Sequence, residues 1–131
     1  MQRGQKLAEI VKEYKETEMP DNEDSIGMRI QVYQESINQT IPEYLVNFKY
    51  LRYLMELYGF VLVPDEEAQK KTGLPHGSGM FQELFQRMQR EIRDGIYPIE
   101  EYGMANYMTA AEKRISYLNR YFIFQIGRAH V

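Results

Sequence analysis

The stretch INQTIPEYLVNF, residues 37–48, sets a carboxylate, Glu43, between a proline and the start of an apolar periodicity. An ionised carboxylate only accepts hydrogen bonds, and it does so through two oxygens held side by side. Two chemistries use that arrangement. In one, Thr40-Ile41-Pro42-Glu43 is a capping box, in which the Thr hydroxyl and the Glu carboxylate satisfy backbone amides at a helix start, for about 1 kcal/mol. In the other, the two oxygens accept from a pair of adjacent donors such as N1–H and the N2 amine on the Watson–Crick edge of guanine, a match adenine cannot reproduce, while neighbouring aromatic rings stack on the base. The local pattern favours the cap, and periodicity alone does not demand the second chemistry.

Other reactive patterns are thin. Cysteine is absent and the only histidines are His76 and His130, which excludes thiolate nucleophiles, disulfides and clustered His or Cys metal sites within this chain. GLPHGSGMF, the one glycine-rich stretch, follows no apolar strand and lacks the lysine of a phosphate loop, so it reads as a connection with Ser78 capping the helix that follows. The acids of DEEAQ and PIEEY are not set together by any spacing and do not read as a catalytic pair. Eleven tyrosines are read first as packing, with Tyr33 able to face a nucleotide. Lys49, Arg52, Arg87, Arg90 and Arg93 fall on polar helix faces and are read as solvated, with a possible role beside RNA phosphates.

These groups need elements to position them. The 131 residues are 44% apolar and 13% aromatic, enough to bury the core of about one domain. A formal charge of −3 lacks the positive field of a domain that grips nucleic acid by phosphate neutralisation, so any RNA contact is local. No signal-peptide core or membrane-length apolar run is present, and the expectation is a soluble intracellular protein. LAEIVKEY, 7–14, reads as helix or strand; with MRIQVY, 28–33, it suggests a two-stranded ribbon. Tyr44, Phe48, Leu51, Met55 and Tyr58 predict a helix over 40–58 with Gly59 as its stop. FVLVP then reads as a buried strand, Phe81 to Ile92 as an amphipathic helix ended by Asp94-Gly95, YPIEEYG as irregular, TAAEKR as a short capped helix and ISYLNRYFIF as a closing strand.

INQTIPEYLVNFKYLRYLMELYGFVLV resembles the part of RNA cap guanine-N7 methyltransferases that contains a Pro-Glu-(Tyr/Phe)-Leu-Val element followed by a helix and a strand. VYQESIN, EYLVNF, LPHGSGMF and ISYLNRYFIF are similar to the methyltransferase region of the multifunctional capping enzymes of large DNA viruses, and the likeness runs from about residue 6 to residue 124. It implies an α/β fold, the C-terminal portion of a Rossmann-like S-adenosylmethionine-dependent methyltransferase with an inserted β-ribbon and extra helices, over residues 1–125. By the resemblance Glu43 contacts the cap guanine, and Tyr121, or in another register Asn119, lies against the cap. No catalytic or metal-binding residue is implied within the chain.

The resemblance also implies what this stretch does not carry: the acidic, glycine-rich turn that binds most of S-adenosylmethionine belongs upstream. The expected activity is methyl transfer to N7 of a capped RNA 5′ end by a longer protein, with this segment reading the guanine and inactive alone. Fused guanylyltransferase and triphosphatase domains and a stimulatory subunit are the partners such enzymes suggest, in host cytoplasm or virion for a viral protein and in the nucleus for a cellular one. The alternative is a non-catalytic methyltransferase-like module that binds RNA or a partner. The last six residues, IGRAHV, match the translation of a common sequencing adapter; residues 126–131 are read as an artefact of assembly, which leaves Arg128 and His130 without functional meaning.

Overall fold

The structure, a computed structural model, describes residues 8–127. It is mixed α/β with small sheets. Its described residues divide into two compact units, 8–61 with 126–127, and 62–125.

The first unit is built on a three-stranded antiparallel sheet of β1 (Ala8–Lys12), β2 (Arg29–Gln34) and β3 (Gln39–Tyr44), in that order. LAEIVKEY thus resolves to strand, and the expected two-stranded ribbon has a third member. The loop between β2 and β3 closes with Asn38 at φ +48°, a left-handed conformation that asparagine tolerates, and the N–H of Asn38 donates to the Glu35 carbonyl at 3.0 Å. Directly opposed residues share a face, so Lys12, Ile30 and Glu43 form one row and Ile10, Val32 and Ile41 the next. Ile30 and Val32 are buried with Met28. On the other face Glu13 accepts from Arg29 at 2.9 Å and from Gln31 at 2.8 Å.

The helix expected over 40–58 is shorter by two turns: α1 spans Phe48–Leu57. Residues 40–44 belong instead to β3, since Thr40, Ile41 and Tyr44 suit a pleated surface and β2 offers them a ladder. A run of intrinsic strand formers beside a ready partner outweighs a local capping pattern. The cap of α1 is Asn47, whose side chain accepts from the N–H of Tyr50 at 2.9 Å and donates to the Pro20 carbonyl and the Asp21 carboxylate. Gly59, at φ +88°, stops the helix as expected.

β4 (Phe60–Leu62) pairs with β7 (Phe124–Ile126). Ile126 is 82% exposed, and the N–H of Gly127 donates to the Gly59 carbonyl at 2.7 Å. Residues 128–131, including Arg128 and His130, lie outside the described residues.

In the second unit DEEAQKKT forms α2 (Asp65–Thr72), with three acids in its first turn and two lysines in its last, the polarity a helix dipole favours. Ala68 of α2, Val63, and Phe85 and Met88 of α3 (Phe81–Arg93) are its buried apolar residues. Ser78 does not cap α3: it lies in β5 (Ser78–Met80), which pairs antiparallel with β6 (Arg120–Phe122). There its hydroxyl donates to the Tyr121 carbonyl at 2.8 Å and accepts from Arg120 at 3.0 Å. Asp94 and Gly95 end α3 as expected. The expected closing strand is halved, because Ile115 and Ser116 finish α4 (Ala110–Ser116) and only 120–122 and 124–126 are extended. α4 carries a true capping box: Thr109 accepts from the Glu112 amide at 3.1 Å while Glu112 accepts from the Thr109 amide at 2.9 Å.

Candidate functional site

Strand β3 displays Glu43. Its pairing with Ile30 places it at the outer margin of the sheet, exposed, and among the described residues its carboxylate makes no side-chain hydrogen bond or ion pair. The capping role read from Thr40-x-x-Glu43 is therefore absent, since no helix begins there. Two acceptor oxygens remain for an outside donor pair. The opposed pair Gln31–Pro42 alternates with pairs that exchange ladder bonds, as the Leu45 amide to Met28 carbonyl bond at 2.9 Å fixes, so the missing N–H of Pro42 falls on the outer edge. A proline there removes a donor that another strand would need, and so guards the edge beside Glu43.

Immediately after Glu43 the chain leaves the sheet and lines a groove of about 590 Å³, a volume of the order that small ligands fill. Ile26, Tyr44, Val46, Tyr50, Leu51 and Leu54 wall it, and Tyr44 is 59% exposed. Glu43 is not among the lining residues, although the next residue is. Nothing in the sequence periodicity signalled this groove; Asn47, the polar residue that folds β3 into α1, is the signal that could have located it.

Tyr121 belongs to the second unit and has a different setting. Opposite Gly79 on β5, its ring lies across the glycine so closely that a Cβ there would come within 2.8 to 3.0 Å of Oη, Cε1 and Cζ. Its hydroxyl is buried, with no hydrogen-bond partner among the described residues. Burial pushes this phenol's pKa up, and the Glu83 charge adds to that. The backbone N–H of His76 is near enough to pull the other way without reaching bonding geometry. Asn119, the alternative, spends its amide on the carbonyls of Ile115 and Ser116 at the end of α4. His76 pairs with Asp65 at 3.0 Å on the surface, a contact that the sequence did not announce.

The glycines of the glycine-rich stretch each have a place in the fold. Gly73 ends α2 at φ +77°, Gly77 packs so tightly that a Cβ would strike the Val63 carbonyl, and Gly79 carries the Tyr121 ring. Gly77 and Gly79 are thus committed to packing and Gly73 to the end of α2. Among the described residues no group of three His, Asp or Glu side chains could hold a metal ion, and no helix is long and apolar enough to cross a membrane. Comparison with family models, with curated proteins and with solved structures returns no match.

Proposed function

We propose that this chain is the guanine-reading portion of an RNA cap guanine-N7 methyltransferase, in the C-terminal part of a Rossmann-like domain. One observation carries the reading: Glu43 is an exposed carboxylate with no side-chain partner among the described residues, displayed on an outer strand. Support comes also from order along the chain, where Pro42-Glu43-Tyr44-Leu45-Val46 is followed by α1 and then β4, the helix and strand that follow the Pro-Glu element in the family it resembles.

The contribution of this chain is recognition and orientation. The Glu43 oxygens accept from N1–H and the N2 amine, which leaves the N7 edge of the base facing away from the carboxylate. An adenine would present an acceptor at N1 and no amine at C2, so one oxygen would face a lone pair. The methyl donor, S-adenosylmethionine, is held by residues outside this chain.

The test is Glu43→Ala in the longer protein, with methylation of capped RNA and thermal unfolding measured together. Methylation should fall far more than stability does, because Glu43 makes no side-chain bond among the described residues. Near-normal turnover would remove the base-reading role.

A further inference from the structure

The sheet of the first unit has two outer edges, and they are not alike. The N–H of Glu13 donates to the Arg29 carbonyl at 3.0 Å, one step beyond the Lys12–Ile30 pair, which fixes the hydrogen-bonding phase of β1 against β2. Glu9 and Val11 therefore turn their backbone groups towards β2, while Ala8, Ile10 and Lys12 turn theirs outward. Among the described residues no backbone group bonds to that outer row. The opposite edge, on β3, presents Thr40, Pro42 and Tyr44, and Pro42 has no N–H to give. β1 has no such guard. AEIVK contains no proline, and the charge that could blunt this edge is turned away, since the Lys12 ammonium donates to the Glu16 carbonyl at 2.6 Å and lies 4.5 Å from the Tyr14 ring centroid.

Side chains add a reason for that edge to pair. Ile10 stands in the row Ile10, Val32, Ile41 beside the buried Val32, yet is itself 49% exposed. An antiparallel strand laid along β1 bonds to it only where its own outward backbone groups meet those of Ala8, Ile10 and Lys12. A second β1 does so when the twofold axis falls on a residue. An axis on residue 9 sets Glu9 against Glu9, and one on residue 11 sets Glu9 against Glu13, so both oppose like charges. An axis on Ile10 uses the whole strand, pairing Ala8 with Lys12 and Glu9 with Val11. We infer that β1 is a self-association edge, at which two copies of this chain pair antiparallel about a twofold axis on Ile10 and join their three-stranded sheets into one. The row Ile41, Val32, Ile10 then continues into Ile10, Val32 and Ile41 of the second copy. The ladder is five residues long, so the contact is small and the dimer weak, with a Kd on the order of 100 µM. This goes beyond the guanine reading and does not rest on it: Glu43 lies on the far strand of the sheet and stays exposed.

Sedimentation velocity on the whole chain, from about 10 µM to about 1 mM, should show a monomer passing into a dimer. A chain that stays monomeric throughout would overturn the inference. Ile10→Lys sets two lysines against each other across the axis and should remain monomeric, and mixing it with Ile10→Glu should restore the dimer. Association of Ile10→Lys as strong as that of the wild type would overturn the inference as well. Should these variants fail to fold, two milder ones decide. The chain has no cysteine of its own, and Ile10 and Val11 are almost equally exposed, at 49% and 47%. Under mild oxidation Ile10→Cys should form a disulfide-linked dimer severalfold faster than Val11→Cys. Across the axis the two residues 10 are directly opposed, with Cα atoms about 5.5 Å apart, whereas the two residues 11 are diagonal neighbours at about 7 to 8 Å, past the reach of a disulfide. Equal rates would overturn the pairing, and a faster reaction of Val11→Cys would overturn the axis.

Discussion

The pattern Thr-x-x-Glu occurs at Thr40 to Glu43 and again at Thr109 to Glu112, and the two copies fold differently. The second makes both reciprocal bonds of a capping box and opens α4. The first lies flat in β3, with its threonine and glutamate on opposite faces of a sheet. The intervening pairs explain the difference. Ala110-Ala111 are strong helix formers with no other claim on them, whereas Ile41-Pro42 join a β-branched residue to one that cannot donate, opposite an apolar strand whose Ile30 and Val32 are buried. A capping motif is thus conditional: it is used when the chain has no better ladder. The consequence for chemistry is direct, since a glutamate that caps a helix is engaged and one left over on a strand is available.

The largest test of this contrast removes the ladder. Ile30→Ala, which empties the buried position opposite Glu43, should destabilise the first unit by about 2 to 4 kcal/mol in denaturant unfolding. An effect near zero would mean that β2 is not what holds residues 40–44 extended. Next, Thr109→Ala should cost about 1 kcal/mol by the same measurement, through loss of the cap on α4. Thr40→Ala should cost less than about 0.5 kcal/mol, because its hydroxyl starts no helix. Equal costs for the two threonines would contradict the contrast.

Acid titration sharpens it further. The Thr109 backbone N–H, and after it the Thr109 hydroxyl, hold the Glu112 carboxyl below its ordinary value. A depressed folded-state pKa gives stability that is present above the ordinary carboxylate range and lost as pH falls through the folded-state value. Unfolding free energy should therefore drop on acidification, and Glu112→Gln should flatten that part of the profile. An unchanged slope in the variant would show that the box contributes nothing to the acid dependence.

What the sequence made legible follows the same division. Elements whose signals agree were readable: β2 from its alternation, the end of α3 from Asp94-Gly95, α4 from its cap, and the stop of α1 at Gly59. Where a local pattern and a distant partner disagreed, the partner decided, as at residues 40–44 and again at Ser78, whose hydroxyl serves the β5–β6 pair and caps no helix. Glu43 could be singled out as a residue to weigh, but its surroundings were not foreseeable, because exposure depends on the register with β2 and not on its own neighbours. The seat of Tyr121 on Gly79 joins residues far apart in the chain and left no periodic trace. The resemblance that named both residues said nothing about how differently each is held.

The most direct measurement is the affinity of the chain for GpppG and for ApppA, compared between the wild type and Glu43→Gln. A carboxylate that reads guanine through two acceptors should prefer GpppG by about 1 to 3 kcal/mol, roughly fivefold to over a hundredfold, and Glu43→Gln, which exchanges one acceptor for a donor, should erase the preference. Equal affinity of the wild type for the two dinucleotides, or a preference that survives in Glu43→Gln, would contradict the claim that the strand displays Glu43 to read a base.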